Sequence, residues 1–416
     1  MKLAPYPEYK DSGVPWLGKI PAHWELHRGK WLFRKMERPV RSQDEVVTCF
    51  RDGTVTLRKN RRIRGFTESL KEIGYQGIRK GDLVIHQMDA FAGAVGVSDS
   101  DGKGTPVYSV CLPKRDLDTH YYAQLVREMS RSYFITSLAK GIRERSTDFR
   151  FDTFASLTLP VPLPEEQKAI SRFMRNESAQ INKFIRNKRR LIELLKEQKQ
   201  NVINQAVTRG LDPNVKLKPS GVEWIGDIPE HWEARRLKTI AKVVLGKMLK
   251  TSPSKDDQLK PYLRSANIQW FEANLSDVAS MWFSQSEMEQ YRISKNDILV
   301  SEGGEVGRAC IWQDELEECY IQNSVHKVTA GAEVLPLFLL YQFSAFGSKG
   351  AFKAVVNRVS IAHLTREKLV AVFFCKPPIE EQKTILAHIQ AKTAEIDQAI
   401  IRAQREIELM REYRTR

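Results

Sequence analysis

The feature that most constrains this 416-residue chain is an internal repeat. Residues Ser12 to Glu25 read SGVPWLGKIPAHWE and residues Ser220 to Glu233 read SGVEWIGDIPEHWE, ten identities in fourteen positions at an offset of 208 residues. A second pair follows at an offset of 215: Pro162-Leu163-Pro164-Glu165-Glu166-Gln167-Lys168-Ala169-Ile170 against Pro377-Pro378-Ile379-Glu380-Glu381-Gln382-Lys383-Thr384-Ile385. A weaker third sets Gly81-Asp82-Leu83-Val84 against Asn296-Asp297-Ile298-Leu299. Self-similarity at a nearly fixed offset means one structural unit built twice. The ends of each copy match while the middles barely do. Two copies of one scaffold therefore hold two different variable regions, the second slightly longer than the first.

The shared motifs have direct structural readings. Glycine and proline punctuation among apolar residues makes SGVxWxGxIPxHWE an ordered leading segment running into a first strand. Trp16, Trp24, Trp224 and Trp232 are expected to pack that segment onto its domain. His23 and His231 recur with it, but no cysteine, carboxylate or second histidine is seen to recur beside them, so both read as packed or capping side chains.

After Pro164 the pattern turns helical, with Glu165 and Glu166 in a first turn where the helix dipole favours acids. Neither proline nor glycine then appears until Gly210. Apolar residues recur at Ile170, Phe173, Ile181, Phe184, Ile185, Leu191, Ile192, Leu195, Val202 and Ile203 in three- and four-residue steps. This spacing predicts a helix of roughly 44 residues, about 65 Å long. Such a stripe is too long to bury in one small domain and needs a partner. Ile385, Ile389, Ile396, Ile400, Ala403, Ile407 and Met410 supply one with the same spacing. Matched long helices in one chain are expected to pair as an antiparallel coiled coil, with an intermolecular coiled coil as the competing arrangement. At the offset of 215 Arg416 falls opposite Asn201, so the second helix should be a turn or two short of its mate. That shortening works against a fully closed symmetric arrangement.

Both middles mix strands with short helices. Val46–Phe50, Asp82–Ile85 and Val107–Cys111 read as strands, as do Asp297–Val300, Cys310–Trp312 and His326–Val328; Tyr121–Leu138 and Leu335–Ala345 read as helical. The expected architecture is α+β with a pseudo-two-fold internal repeat. Residues 1–163 form a first globular domain, 164–209 a long spacer helix, 210–376 a second globular domain and 377–416 a second spacer helix.

Lysine and arginine total 66 against 51 acids, a formal charge of +15 and a pI near 9.5. An excess of that size favours a polyanionic partner, because a basic surface releases condensed counterions when it meets phosphates. Base readout further needs cations and amides on loops that can enter a groove. Arg58, Lys59, Arg61, Arg62 and Arg64 form the densest basic cluster, and Arg143, Arg145 and Ser146 a second candidate loop. In the second domain Arg264, Asn267 and Gln269, then Glu302 and Arg308, then Gln322 and Asn323, then Asn357 and Arg358 are the candidates.

Catalytic signatures are missing. The sequence holds no Walker motif, no glycine-rich cofactor turn, no H-E-x-x-H, no G-x-S-x-G and no Asn-Pro-Pro or Asp-Pro-Pro aromatic tetrapeptide of the kind that holds a flipped adenine. Asp99-Ser100-Asp101-Gly102-Lys103-Gly104 lacks the spacing of a phosphate loop and the closing Glu of a calcium loop, and reads as a hairpin turn. Five scattered cysteines without a C-x-x-C pair indicate reduced, buried thiols rather than zinc or disulfides. No apolar run reaches the roughly 18 residues of a membrane span, and Met1–Tyr6 lacks a signal-peptide core, so a cytoplasmic location is expected. Neither a catalytic residue nor a metal ligand is assigned.

This organisation resembles the specificity subunit of type I restriction–modification enzymes over nearly the whole chain. The residues that carry the resemblance are SGVPWLGKIPAHWE and SGVEWIGDIPEHWE, LPVPLPEEQKAI and CKPPIEEQKTI, and the segments Tyr262–Gln269 and Val356–Ile361. The resemblance implies a non-catalytic DNA reader in which each variable domain recognises one half of a bipartite, asymmetric double-stranded site. The paired helices would set the unread gap and dock two methylation subunits, and ATP-dependent restriction subunits would join them. S-adenosylmethionine, ATP and magnesium would then belong to those partners, with this chain holding no cofactor. A specificity subunit of a related phage-defence methylation system, a coiled-coil scaffold protein and a self-contained methyltransferase or nuclease are the alternative readings.

Overall fold

The computed structural model describes residues 5–61, 73–138, 148–355 and 363–415. Arg62, Arg64, Arg143, Arg145, Ser146, Asn357 and Arg358 lie outside the described residues. The chain divides into two compact units, one of residues 1–185 with 410–416 and one of residues 186–409.

In the first unit four strands make a central antiparallel sheet: β1 (Phe33–Lys35), β2 (Leu83–His86), β3 (Val95–Val97) and β4 (Tyr108–Pro113), in the order β1-β4-β2-β3. Side chains alternate across such a sheet, and here both faces are covered. Leu83, Ile85 and Cys111 point into a core with Tyr122, Val126 and Met129 of helix α1 (Thr119–Arg131). Val84 and Val110 point the other way, into a smaller core with Val47, Cys49 and Val55 of a hairpin. Burial on both faces is why these strands read as unbroken apolar runs rather than alternating ones. The expected helix over Tyr121–Leu138 is interrupted at Ser132–Tyr133, where Tyr133 takes a φ of 59° before a short turn at Phe134–Ser137. The stretch around Asp99–Gly104 also differs from a simple hairpin turn. Gly102–Gly104 is itself a strand and pairs with Gln76–Ile78.

Helix α2 (Pro164–Arg209) runs 46 residues, close to the length read from the apolar spacing. It ends at Gly210, whose φ of 72° no β-branched residue would adopt without strain.

The second unit repeats the plan. Strands β5 (Ala241–Leu245), β6 (Ile298–Ser301), β7 (Ala309–Ile311) and β8 (Val325–Ala330) take the equivalent order β5-β8-β6-β7. Ile298 and Val300 face helix α3 (Pro336–Ser348), and Leu299 faces the opposite layer. That layer is where the units diverge. The first has the hairpin of Val47–Cys49 with Val55–Leu57, and the second has a three-stranded sheet of Ala279–Phe283, Gln258–Leu263 and Tyr320–Ile321. Helix α4 (Ile379–Thr415) is described over 37 residues, against 46 for α2.

Within the second unit α2 and α4 pair antiparallel. Lys188 bonds Glu406, and Lys199 Nζ lies 2.7 Å from the Asp397 carboxylate, so numbers rise along one helix as they fall along the other. Ile192, Ile203, Ile389, Ile396, Ala403 and Ile407 are buried on these helices. In the first unit Arg414 Nη1 donates to Asn182 Oδ1 at 3.2 Å, in the same antiparallel register.

Contact explains why two separate motifs repeat together. His23 Nε2 lies 3.0 Å from Glu166 Oε2, and Trp24 Nε1 donates to the same carboxylate. In the second copy His231 Nε2 lies 2.9 Å and Trp232 Nε1 3.0 Å from Glu381 Oε2. A carboxylate therefore does recur with each histidine, contrary to the sequence reading, and it serves as the fastener between leading segment and long helix. Next to it Gln167 is fully buried, donating to Pro162 O at 2.8 Å and accepting from Asp118 N at 3.0 Å. Gln382 does the same with Pro377 O, Glu333 O and Leu335 N at 2.8–2.9 Å. The motif E-E-Q thus ties the first turn of each long helix to the domain it leaves.

Candidate nucleic-acid interface

In the first unit the predicted basic cluster begins at a short 3-10 turn, Arg58–Asn60, directly after the hairpin strand Val55–Leu57. Asn60 Nδ2 donates to Thr56 Oγ1 at 2.9 Å and Arg58 Nε to Thr48 Oγ1 at 3.3 Å, which pins the turn to the hairpin. Beside it opens a cavity of about 560 Å³ lined by Thr48, Phe50, Arg51, Asp52, Arg58, Arg61 and Asp89 among others. The Arg61 guanidinium sits 4.4 Å over the Phe50 ring and 2.8 Å from Asp52 Oδ2. Arg51 reaches Asp89 at 3.0 Å and Lys59 reaches Glu45 at 2.5 Å. Burial works to raise the Asp52 carboxyl, but hydrogen bonds from Thr54 and Arg61 prevail and hold it below its ordinary range. Exposed pairs of this kind are worth about 0–1 kcal/mol each, so a phosphate can take the cation from the acid at little expense. The cavity holds cations, an aromatic face and carboxylates in one place, the side-chain types that stack on bases and bond their edges.

In the second unit the predicted residues divide by role. Asn267 is 3% exposed; its amide donates to Asn274 O and Asp277 O, and its carbonyl accepts from Arg264 N at 3.0 Å. These bonds hold a turn and leave nothing for a base edge. Arg264 bonds Asp277, and Arg308, largely buried, donates to Ser265 O at 3.1 Å. Gln269 donates to Ala266 O at 3.1 Å and remains half-exposed. Gln322 and Asn323 join Ser324 and Ser265 in a polar network at the mouth of β8. Glu302, at the end of β6, has its carboxyl raised by burial. The sequence candidates described in this unit thus gather at the strand ends, but several serve there as braces.

Sequence reasoning missed a second feature, common to both units. Strand β5 is an edge strand, and beside it lies a groove of about 820 Å³ whose charged lining among the described residues is Lys238, Lys242 and Arg366, with no carboxylate among them. Arg366 Nε donates to Val243 O at 3.0 Å and so is fixed along the edge. Strand β1 is the matching edge of the first unit. At the offset of 208, Arg28, Lys30 and Arg34 correspond to Arg236, Lys238 and Lys242, and all six are exposed. Carrying the repeat alignment nine residues past H-W-E would have revealed them.

Among the described residues no group of His, Cys, Asp and Glu is arranged to hold a metal ion, and no helix is long and apolar enough to cross a membrane. Residues 229–408 match the family model described as the type I restriction modification DNA specificity domain. A Methanocaldococcus jannaschii protein named as the MjaX specificity subunit of a type I restriction enzyme is 21% identical over 403 residues, which cover 90% of this chain and 88% of the relative. The MjaVIII specificity subunit of the same organism is 29% identical over 119 residues, covering 29% of this chain and 26% of the relative. Two solved structures share the fold. A chain of a type I restriction–modification assembly aligns with a TM-score of 0.67 at 15% identity, covering 95% of this chain and 96% of its own. The HsdS subunit from Thermoanaerobacter tengcongensis aligns at 0.56 and 17% identity, covering 98% and 99%.

Proposed function

The chain belongs to the type I restriction–modification specificity family, and from that premise we propose that it reads a bipartite DNA site, one half with each unit, and performs no covalent chemistry. The observation that carries this reading is the common strand order of the two central sheets beneath unlike outer layers. One geometry presents two different loop sets, which suits two different half-sites. The repeated basic edges, Arg28-Lys30-Arg34 and Arg236-Lys238-Lys242, contact what both half-sites share, the phosphate backbone. The cavity beside Arg61 and the polar network around Gln322 and Asn323 contact what differs, the base edges. Arg62, Arg64, Arg143, Arg145, Ser146, Asn357 and Arg358, outside the described residues, stay candidates for DNA contact on sequence grounds alone. The antiparallel helices set the gap between half-sites and offer the docking surface for methylation subunits. Those subunits carry S-adenosylmethionine and flip and methylate an adenine, while restriction subunits bring ATP and magnesium.

Adenine-methylation mapping of DNA from cells expressing the chain with its methylation subunit tests this reading. A two-part motif is expected, and exchanging residues 30–159 for another variable region should change one part and leave the other. An unchanged motif after the exchange refutes the assignment of one half-site to each unit.

A further inference from the structure

Each central sheet ends in the same three-way backbone junction. Directly after β2, Gln87 N donates to Val107 O at 2.9 Å, and Gln87 O accepts from Phe149 N at 3.1 Å. Directly after β6, Glu302 N donates to Ser324 O and Glu302 O accepts from Leu364 N, both at 2.9 Å. Glu302 follows Gln87, and Leu364 follows Phe149, at the same offset of 215 residues. One scaffold position is thus built twice, with a half-buried amide in the first unit and a half-buried carboxylate in the second. Ser324 belongs to the polar network of Gln322 and Asn323, and Asp89, two residues on from Gln87, lines the cavity beside Arg61.

A carboxylate repels the phosphates that the cations of such a surface suit. Burial raises the Glu302 carboxyl, His363 works against the rise and Glu367 adds to it. Among the described residues its side chain has no hydrogen bond or ion pair, whereas nearby Glu305 accepts from Trp270 Nε1 at 2.8 Å. A Cβ at Gly303 would meet only His363, at 3.8 Å, and one at Gly304 nothing within 4 Å, so the described residues leave the backbone beside Glu302 open. A half-buried acceptor in that setting stays costly until a donor reaches it.

We propose that Glu302 and Gln87 are equivalent specificity-determining residues, Glu302 accepting a hydrogen bond from the exocyclic amine of a cytosine and Gln87 pairing its amide with an adenine. This rests on the reading that each unit contacts one half-site. In the major groove cytosine offers only its N4 donor, which matches an acceptor-only carboxylate, while adenine offers a donor at N6 beside an acceptor at N7, which matches an amide. A cation at this position could serve a phosphate or a base, but a carboxylate serves only a base. The unlike side chains on like backbone let one scaffold read different base pairs at the same place in its two half-sites.

Methylation mapping of the isosteric exchanges tests the proposal, with half-sites assigned to units by the exchange of residues 30–159. Glu302→Gln should turn one cytosine position of the second unit's half-site into adenine and leave the other half-site unchanged. Gln87→Glu should do the reverse in the first. A half-site of the second unit without a C·G pair, a motif that Glu302→Gln leaves unaltered, or methylation lowered evenly at every position overturns the proposal, the last marking Glu302 as a brace. A wild-type map without a two-part motif would instead be the failure of the half-site reading itself. Binding of the wild-type complex gives a second test that needs no variant to fold. A duplex with 2-pyrimidinone, which lacks the amine, in place of that cytosine should bind about tenfold more weakly. Full affinity with every cytosine of the half-site replaced in turn overturns the proposal, as does a loss that Glu302→Ala leaves undiminished.

Discussion

Replacing Lys238 and Lys242 together by alanine isolates the phosphate term of DNA binding. Both side chains are exposed at β5, and among the described residues the groove they share with Arg366 has no carboxylate in its lining. Neither lysine therefore leaves a buried acid behind, and the folded state should be little affected. Each phosphate neutralised contributes a slope of about −0.9 in log K against log salt, so losing two contacts should make the slope shallower by about 1.8. Near 0.1 M salt the same relation makes each contact worth about eightfold, so the double variant should bind about 60-fold more weakly. Fluorescence anisotropy of a labelled duplex with the assembled complex, repeated from 50 to 300 mM salt, measures both quantities. The loss should be the same for a cognate and a scrambled duplex, because phosphates carry no sequence. Lys30→Ala with Arg34→Ala should repeat the result for the other half-site. An unchanged slope would remove the basic edges from the DNA surface, and a loss confined to the cognate duplex would make them base readers instead.

Other expectations follow from the same geometry. Gln382→Leu leaves three polar groups without their partner and Gln167→Leu two, so at about 1–3 kcal/mol per unpaired buried group the former should lower stability by about 3 kcal/mol or more and the latter by about 2. Urea unfolding followed by tryptophan fluorescence separates them, and equal or negligible losses would remove the clamp. Burial opposes ionisation of Glu166, but bonds from His23, Leu163 N and Trp24 prevail and lower its pKa. A depressed carboxylate adds stability above the unfolded value near 4.5 that is lost as pH falls through the lower folded value. Glu166→Gln should therefore flatten the acid limb of a circular-dichroism titration below pH about 4.5, and an unaltered limb refutes the fastener role. Burial pushes the thiols of Cys49, Cys310, Cys319 and Cys375 up to about 12 and raises Cys111 as well. Ellman's reagent at pH 8 should label none of the five in the native chain and all five in guanidinium, whereas prompt native labelling would contradict their burial.

The repeat, the α+β class, the length of α2 and the antiparallel partnership with α4 were all legible in residue order. Those properties depend on local periodicity and on a motif occurring twice, and both survive without knowledge of which strand neighbours which. Individual site residues were legible only in part. Arg61 and Asn267 look alike as polar loop positions in a sequence. Folding sets Arg61 over Phe50 at a cavity and seals Asn267 inside a turn with its hydrogen bonds spent. The groove residue Arg366 lies more than a hundred positions from Lys238 and Lys242, and only the edge of β5 brings the three together. His23 looked isolated because its carboxylate, Glu166, lies 143 residues away. Periodicity is a property of neighbours along the chain, so the sequence carries it openly. A binding surface is a property of neighbours in space, and long-range strand pairing and the docking of each long helix decide which side chains meet there.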